Sequence, residues 1–159
     1  MKKLVNLIEK IQLTLGVLFL STFLVATLIQ IFARYAKLSV LWTEEIATFS
    51  FVYAVFMGAA VMVRHREHFA FNVLIEKMSP KKASIMKLVN NMIMIVFLGF
   101  LTYYSKTLVT TFWNYNWIVL TQIKMGYVWI SLPITFITMI IYLIEDVFTN
   151  IKNFRNEVA

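Results

Sequence analysis

A chain of 159 residues that is 60% hydrophobic and only 14% charged is too apolar for a soluble domain, which carries about a quarter charged residues. Mean hydropathy of +0.76 says the same, and the absence of cysteine excludes disulfides and thiolate metal centres. The net charge of +7 is explained by attraction to anionic lipid headgroups, with no need of a nucleic-acid partner.

The chain opens on Met1-Lys2-Lys3, and Leu4, Leu7, Ile8 and Ile11 recur at helical spacing opposite Lys3, Asn6, Glu9 and Lys10. That pattern predicts a short interfacial helix leading into the first span. Residues 11–33 carry no charge and are longer than the apolar core of a signal peptide, about 7 to 15 residues. Arg34-Tyr35 follows where a small-residue cleavage motif would stand, so the run is read as a retained membrane helix.

A charged, aromatic knot comes next, Leu41-Trp42-Thr43-Glu44-Glu45, directly before a second uncharged run at 46–63. Thr43 is placed to cap the helix, and carboxylates in a first turn suit the helix dipole. Carboxylates at the edge of a membrane helix are nonetheless costly unless paired. Solvation, an ion pair with Arg34 and a basic group on another chain all remain open. Ser50, Ala54 and Gly58 recur every four residues and draw a small-residue stripe, a device for close helix packing in lipid.

The second run ends at Arg64-His65-Arg66-Glu67-His68, read as a basic turn at the headgroups, with too few ligands for a metal site. Residues 69–78 are apolar but too short to span, which predicts an interfacial segment. Ser79-Pro80 is a helix-start signal, with Pro at the first helical position. Lys81 and Lys82 keep that first turn among headgroups. The third span is expected over about 84–106. Phe112-Trp113-Asn114-Tyr115-Asn116-Trp117 reads as an aromatic belt. A fourth span is expected over 129–146, with Pro133 in its first turn and Glu145-Asp146 closing it.

Each of these four helices reaches the length of about 17 to 25 residues that crosses about 30 Å of hydrocarbon. The expected fold is therefore all-α, a single four-helix polytopic membrane domain with short interfacial helices. Eleven of the Lys and Arg residues fall on the N-terminal, central and C-terminal segments, and only Arg34, Lys37, Lys106 and Lys124 on the two other loops. The positive-inside rule then places both termini in the cytoplasm and the Trp42-Glu44-Glu45 knot outside.

No Ser/His/Asp set, phosphate-cradling Gly loop or paired-acid arrangement suggests an enzyme, and no cofactor is expected in this chain. The four uncharged runs hold no ionisable group, which argues against a self-sufficient pump. An autonomous four-helix multidrug-type transporter is the alternative, and it would need an embedded carboxylate in the first helix.

Across nearly its whole length the chain resembles the small membrane subunit, DctQ-like, of tripartite ATP-independent periplasmic (TRAP) transporters. The resemblance rests on Arg34-Tyr35, Trp42-Thr43-Glu44-Glu45, Phe51-Val52-Tyr53, Gly58-Ala59-Ala60, Arg64 with His68, and Trp129-Ile130-Ser131-Leu132-Pro133. The chain departs from the family at Thr48, Tyr53 and Asn72, where Arg, Trp and Asp are common.

The resemblance implies a bacterial inner-membrane subunit without a transport site of its own. It would brace a large membrane subunit that holds the sodium and substrate sites, and a soluble periplasmic binding protein would deliver an organic acid of the sialic acid or C4-dicarboxylate type. On this reading Arg34, Trp42, Glu44, Glu45, Ser50, Ala54 and Gly58 contact the large subunit. Arg64, Arg66, His68, Lys81 and Lys82 meet lipid at the cytoplasmic face, and Lys37, Asn114, Asn116 and Lys124 offer docking points for the binding protein.

Overall fold

A computed structural model describes residues 2–65 and 78–158. Five helices occupy them: α1 (Lys2–Tyr35), α2 (Trp42–His65), α3 (Pro80–Phe112), the short α4 (Met125–Trp129) and α5 (Ser131–Val158). Four of the helical stretches are long and apolar enough to cross a membrane, with mean hydropathies of 1.8 to 2.2. In hydrocarbon every backbone N–H and C=O must be satisfied within the chain, and the helix does this locally. Among the described residues the only β pairing is one isolated bridge, Asn116 with Lys124.

Side-chain contacts fix the helix directions. Phe19 stacks on Tyr53 at 4.6 Å, Phe23 meets Phe51 at 5.0 Å, and Glu9 reaches Arg64, so α1 and α2 run antiparallel. Phe56 contacts Phe136 and Arg64 contacts Glu145, so α2 and α5 run parallel. Asn91 meets Asp146 and Phe112, at the end of α3, meets Trp129 of α4, two residues before α5 begins, so α3 and α5 run antiparallel. The spatial order is α1–α2–α5–α3, with no close backbone approach between the described residues of α1 and α3.

The two inner helices thus carry the packing. Val5, Ala60, Val63, Leu98, Met139, Tyr142 and Leu143 form one buried cluster that draws on α1, α2, α3 and α5. The outer helices leave large apolar residues exposed, among them Phe32, Ile93 and Phe100. A surface of that kind is compatible with lipid tails, which are as apolar as the side chains themselves.

Three sequence expectations are corrected here. The first ten residues are not a separate helix, because α1 runs unbroken from Lys2. Glu145 and Asp146 do not close the last helix, because α5 continues to Val158 and both side chains are buried. Thr43 does not cap α2, because its hydroxyl donates back to the Val40 carbonyl at 2.7 Å from a fully buried position.

The start of α3 fits the reading of Ser79-Pro80. Ser79 is extended (φ −62°, ψ 149°) with Pro80 next to it, although the hydroxyl makes no capping bond. Its carbonyl instead accepts the Ala83 N–H. The expected interfacial segment at 69–78 falls almost wholly outside the described residues.

At the other end α1 stops in a left-handed turn. The Lys37 N–H donates to Arg34 O at 3.1 Å and the Leu38 N–H to Ala33 O at 2.8 Å, the paired bonds of a Schellman motif. Lys37 occupies its left-handed position at φ 55°.

Candidate functional site

The polar chemistry of the bundle collects at its two ends. At one end lie the α1–α2 turn and the segment between α3 and α5 (the loop end). At the other lie the start of α1, the end of α2, the start of α3 and the second half of α5 (the termini end).

At the loop end Glu45 is the organising residue. Standing one turn into α2, its Oε1 accepts the backbone N–H groups of Ile118 at 2.5 Å and Val119 at 3.0 Å. Its Oε2 accepts that of Leu120 at 2.9 Å. Three consecutive amides on one carboxylate neutralise its charge with dipoles, and bonds of this charge-assisted kind are about twice as strong as neutral ones.

The loop they secure is also closed on itself. The Trp117 N–H donates to Ile123 O and the Ile123 N–H to Leu120 O, both at 2.9 Å, and the Met125 N–H donates to Tyr115 O at 2.7 Å. The Trp117 ring lies 4.4 Å from that of Phe49 on α2. The Tyr53 hydroxyl donates to the Tyr127 carbonyl.

Gly126 permits the return of the chain into α4. A Cβ there would stand 2.6 Å from the Trp113 ring and 3.0 Å from its Cα, so only glycine lets α4 approach the end of α3 this closely.

At the termini end Arg64 is the counterpart. Its Nη1 lies 2.5 Å from Glu145 Oε2 and its Nε 3.5 Å from Glu9 Oε2, and its Nη2 donates to Asn6 Oδ1 at 3.3 Å. His65 Nε2 is 2.8 Å from the other Glu9 oxygen. One guanidinium therefore joins α1, α2 and α5. Beside it the Asn91 amide donates to Asp146 Oδ2 at 2.7 Å, which ties α3 to α5.

Further toward the middle, Gln12 is 4% exposed and fully engaged. Its amide donates to Thr138 Oγ1 at 2.8 Å, and its carbonyl accepts the Tyr142 hydroxyl at 2.5 Å.

The family model for "Tripartite ATP-independent periplasmic transporters, DctQ component" matches residues 23–153, most of the chain, from within α1 to within α5. The chain belongs to the DctQ family. It is 27% identical over 97 residues to a protein of Haemophilus influenzae (strain ATCC 51907 / DSM 11121 / KW20 / Rd) that bears the provisional name TRAP transporter small permease protein. That match covers 60% of this chain and 60% of the Haemophilus protein. Family membership and the four apolar helices make this DctQ chain a multi-pass membrane protein of a transport system.

Several residues singled out from the sequence fall together in the DctQ fold. Trp42, Glu44 and Arg34 are exposed at the loop end, and among the described residues Arg34 pairs with neither glutamate. Glu45 is engaged by backbone amides, a partner that no reading of side-chain charge anticipates. Lys37 lies in the α1 turn, while Asn114, Asn116 and Lys124 are exposed on the aromatic loop.

The small-residue stripe divides. Ser50 and Ala54 are buried within the chain, whereas a side chain at Gly58 would meet no atom within 4 Å. Gly58 opens on a groove of about 260 Å³ between α1 and α2, which Gly16 and Ala54 also line.

Arg64, expected among lipid headgroups, turns inward because two carboxylates on neighbouring helices offer it a better environment. Lys82 is exposed, Lys81 lies in the first turn of α3, and Arg66 and His68 are outside the described residues. Among the described residues no group of three metal-ligating side chains occurs.

The sequence reading missed Gln12, Asn91 and Tyr142. Each is a polar residue in an uncharged run, a signal shared with Thr14, Gln30 and Asn90 in the same runs.

Proposed function

We propose that this chain is the small permease subunit of a TRAP transporter in a bacterial inner membrane, with both termini cytoplasmic. It braces a large membrane subunit that carries out sodium-coupled uptake of an organic acid, of the sialic acid or C4-dicarboxylate type. The loop end contributes to docking a periplasmic binding protein.

The observation that carries this reading is the DctQ match along a bundle in which Glu9, Glu45, Arg64, Glu145 and Asp146 tie its elements together. Arg64 is bound by Glu9 and Glu145, Asp146 by Asn91, and Glu45 by three amides. A carboxylate that cycles ions or protons must be free to change partners, and these are fixed in place. That favours a scaffold over an autonomous transporter.

The test is gentle detergent extraction of the tagged chain from its native membrane, followed by mass spectrometry. Recovery of a stoichiometric large membrane protein is the expected result. Recovery of this chain alone, under conditions that preserve other membrane complexes, would refute the proposal.

A further inference from the structure

Glu44 and Glu45 are neighbours in sequence and opposites in environment. Glu45 is saturated by three amides, whereas Glu44 is exposed and, among the described residues, makes no ion pair and no side-chain hydrogen bond. The carboxylate stands in the first turn of a helix that is uncharged over residues 46–63. An unpaired anion there is costly once the surrounding surface is covered.

The space beside it is shaped. A hollow of about 300 Å³ lies between the first two turns of α2 and the loop that Glu45 secures, lined by Leu41, Glu44, Thr48, Phe49, Ile118 and Val119. Leu41, Glu44 and Thr48 follow one face of the chain entering α2, so the hollow opens on the flank of the bundle. One wall is set by the amide bonds to Glu45, and Ile118 on that wall is 86% exposed. Glu45 and Met125 complete the lining, which is apolar except for the Thr48 hydroxyl and two carboxylates, that of Glu45 taken up by its three amides and that of Glu44 open.

We infer that this hollow receives an arginine or lysine side chain from a membrane protein packed laterally against α2. The alkyl stem would lie on Leu41, Phe49 and Ile118 and the cationic head on the Glu44 carboxylate. Charge complementarity selects a cation, and the apolar walls select one carried on a long aliphatic stem, as these two side chains are. The flank position selects a membrane neighbour over a soluble protein arriving end-on. The inference rests on the subunit reading above and adds the chemistry of the contact.

The test uses the intact complex, purified from its native membrane through a tag on this chain. Wild-type chain that brings down no membrane partner defeats the subunit reading and this inference with it. When the partner is present, Glu44→Lys should lower its recovery about tenfold or more, as expected when one member of a desolvated charge pair is reversed. Thr48→Trp, which fills the hollow without changing charge, should lower it several-fold.

Unchanged thermal unfolding of both variants in detergent separates these losses from misfolding. Reversing single Lys and Arg residues of the partner to Glu should then restore recovery with Glu44→Lys at one position. Full recovery with both variants, or loss with no restoring reversal, would overturn the inference.

Discussion

The two ends of the bundle solve one problem in different ways. Both use a carboxylate to join elements that are distant in sequence. At the loop end Glu45 is compensated by neutral dipoles, three amides of a single turn. At the termini end Glu9 and Glu145 are compensated by a full opposite charge on Arg64.

The difference teaches what each end can tolerate. An ion-pair hub leaves a naked charge behind when one member is lost, and that is strongly destabilising. An amide cradle that loses its carboxylate leaves N–H groups that water can solvate near the surface, so the damage stays local. The termini end should govern global stability and the loop end the shape of one surface.

The largest expected effect breaks the hub. Arg64→Leu leaves Glu145, only 5% exposed, without its cation, and unfolding in mixed micelles should show a loss of about 3 kcal/mol, the lower part of the range for a buried pair. Adding Glu145→Gln and Glu9→Gln to that variant should recover part of the loss, because no unpaired charge remains. A further decrease instead would show that the residues act independently.

Next in size is Gly126→Ala. The new methyl group meets the Trp113 ring and backbone, and overpacking of this kind costs about 1 to 3 kcal/mol. Because the clash lies where α3 meets α4, tryptophan emission should shift while helix content by circular dichroism stays constant.

Glu45→Ala should separate the two ends most clearly. Each charge-assisted bond contributes about 1.5 to 3 kcal/mol, yet only the turn at 118–120 depends on these three. Amide hydrogen exchange at Ile118, Val119 and Leu120 should rise sharply while exchange in the inner helices is unaltered. A uniform rise across the bundle would contradict the contrast drawn between the ends.

The smallest effect is a gain. Lys37 is held at φ 55°, where an L side chain is strained by about 1 to 2 kcal/mol. Lys37→Gly should therefore stabilise the chain by about 1 kcal/mol or less, the glycine also losing more entropy on folding. If thermal unfolding showed destabilisation instead, the Lys37 side chain would have a role beyond the turn.

Particular residues show how far the sequence could be read. The four spans were legible because hydrocarbon demands long uncharged runs, and the structure has four helical stretches long and apolar enough to cross a membrane. Pro80 and Pro133 marked helix starts correctly, since a missing N–H is harmless only there. The helix ends were less visible. Glu145 and Asp146 looked like a polar stop, but α5 continues because Arg64 and Asn91, 81 and 55 residues away in sequence, receive them.

Thr43 looked like a cap, yet its hydroxyl found a carbonyl three residues back. Ser50 and Gly58 share a stripe in sequence but not an environment, since only tertiary packing decides which part of a helix face is covered.

The sequence by itself determined that this chain crosses a membrane with four helices and belongs near TRAP small subunits, because span length and short motifs are local properties. The tertiary structure alone decided that α2 and α5 are the inner pair, that Arg64 points inward, and that Glu45 secures a loop while Glu44 is left exposed. Those outcomes depend on partners that are far away in sequence. The amides of residues 118–120, in particular, carry no side-chain signature of what they bind.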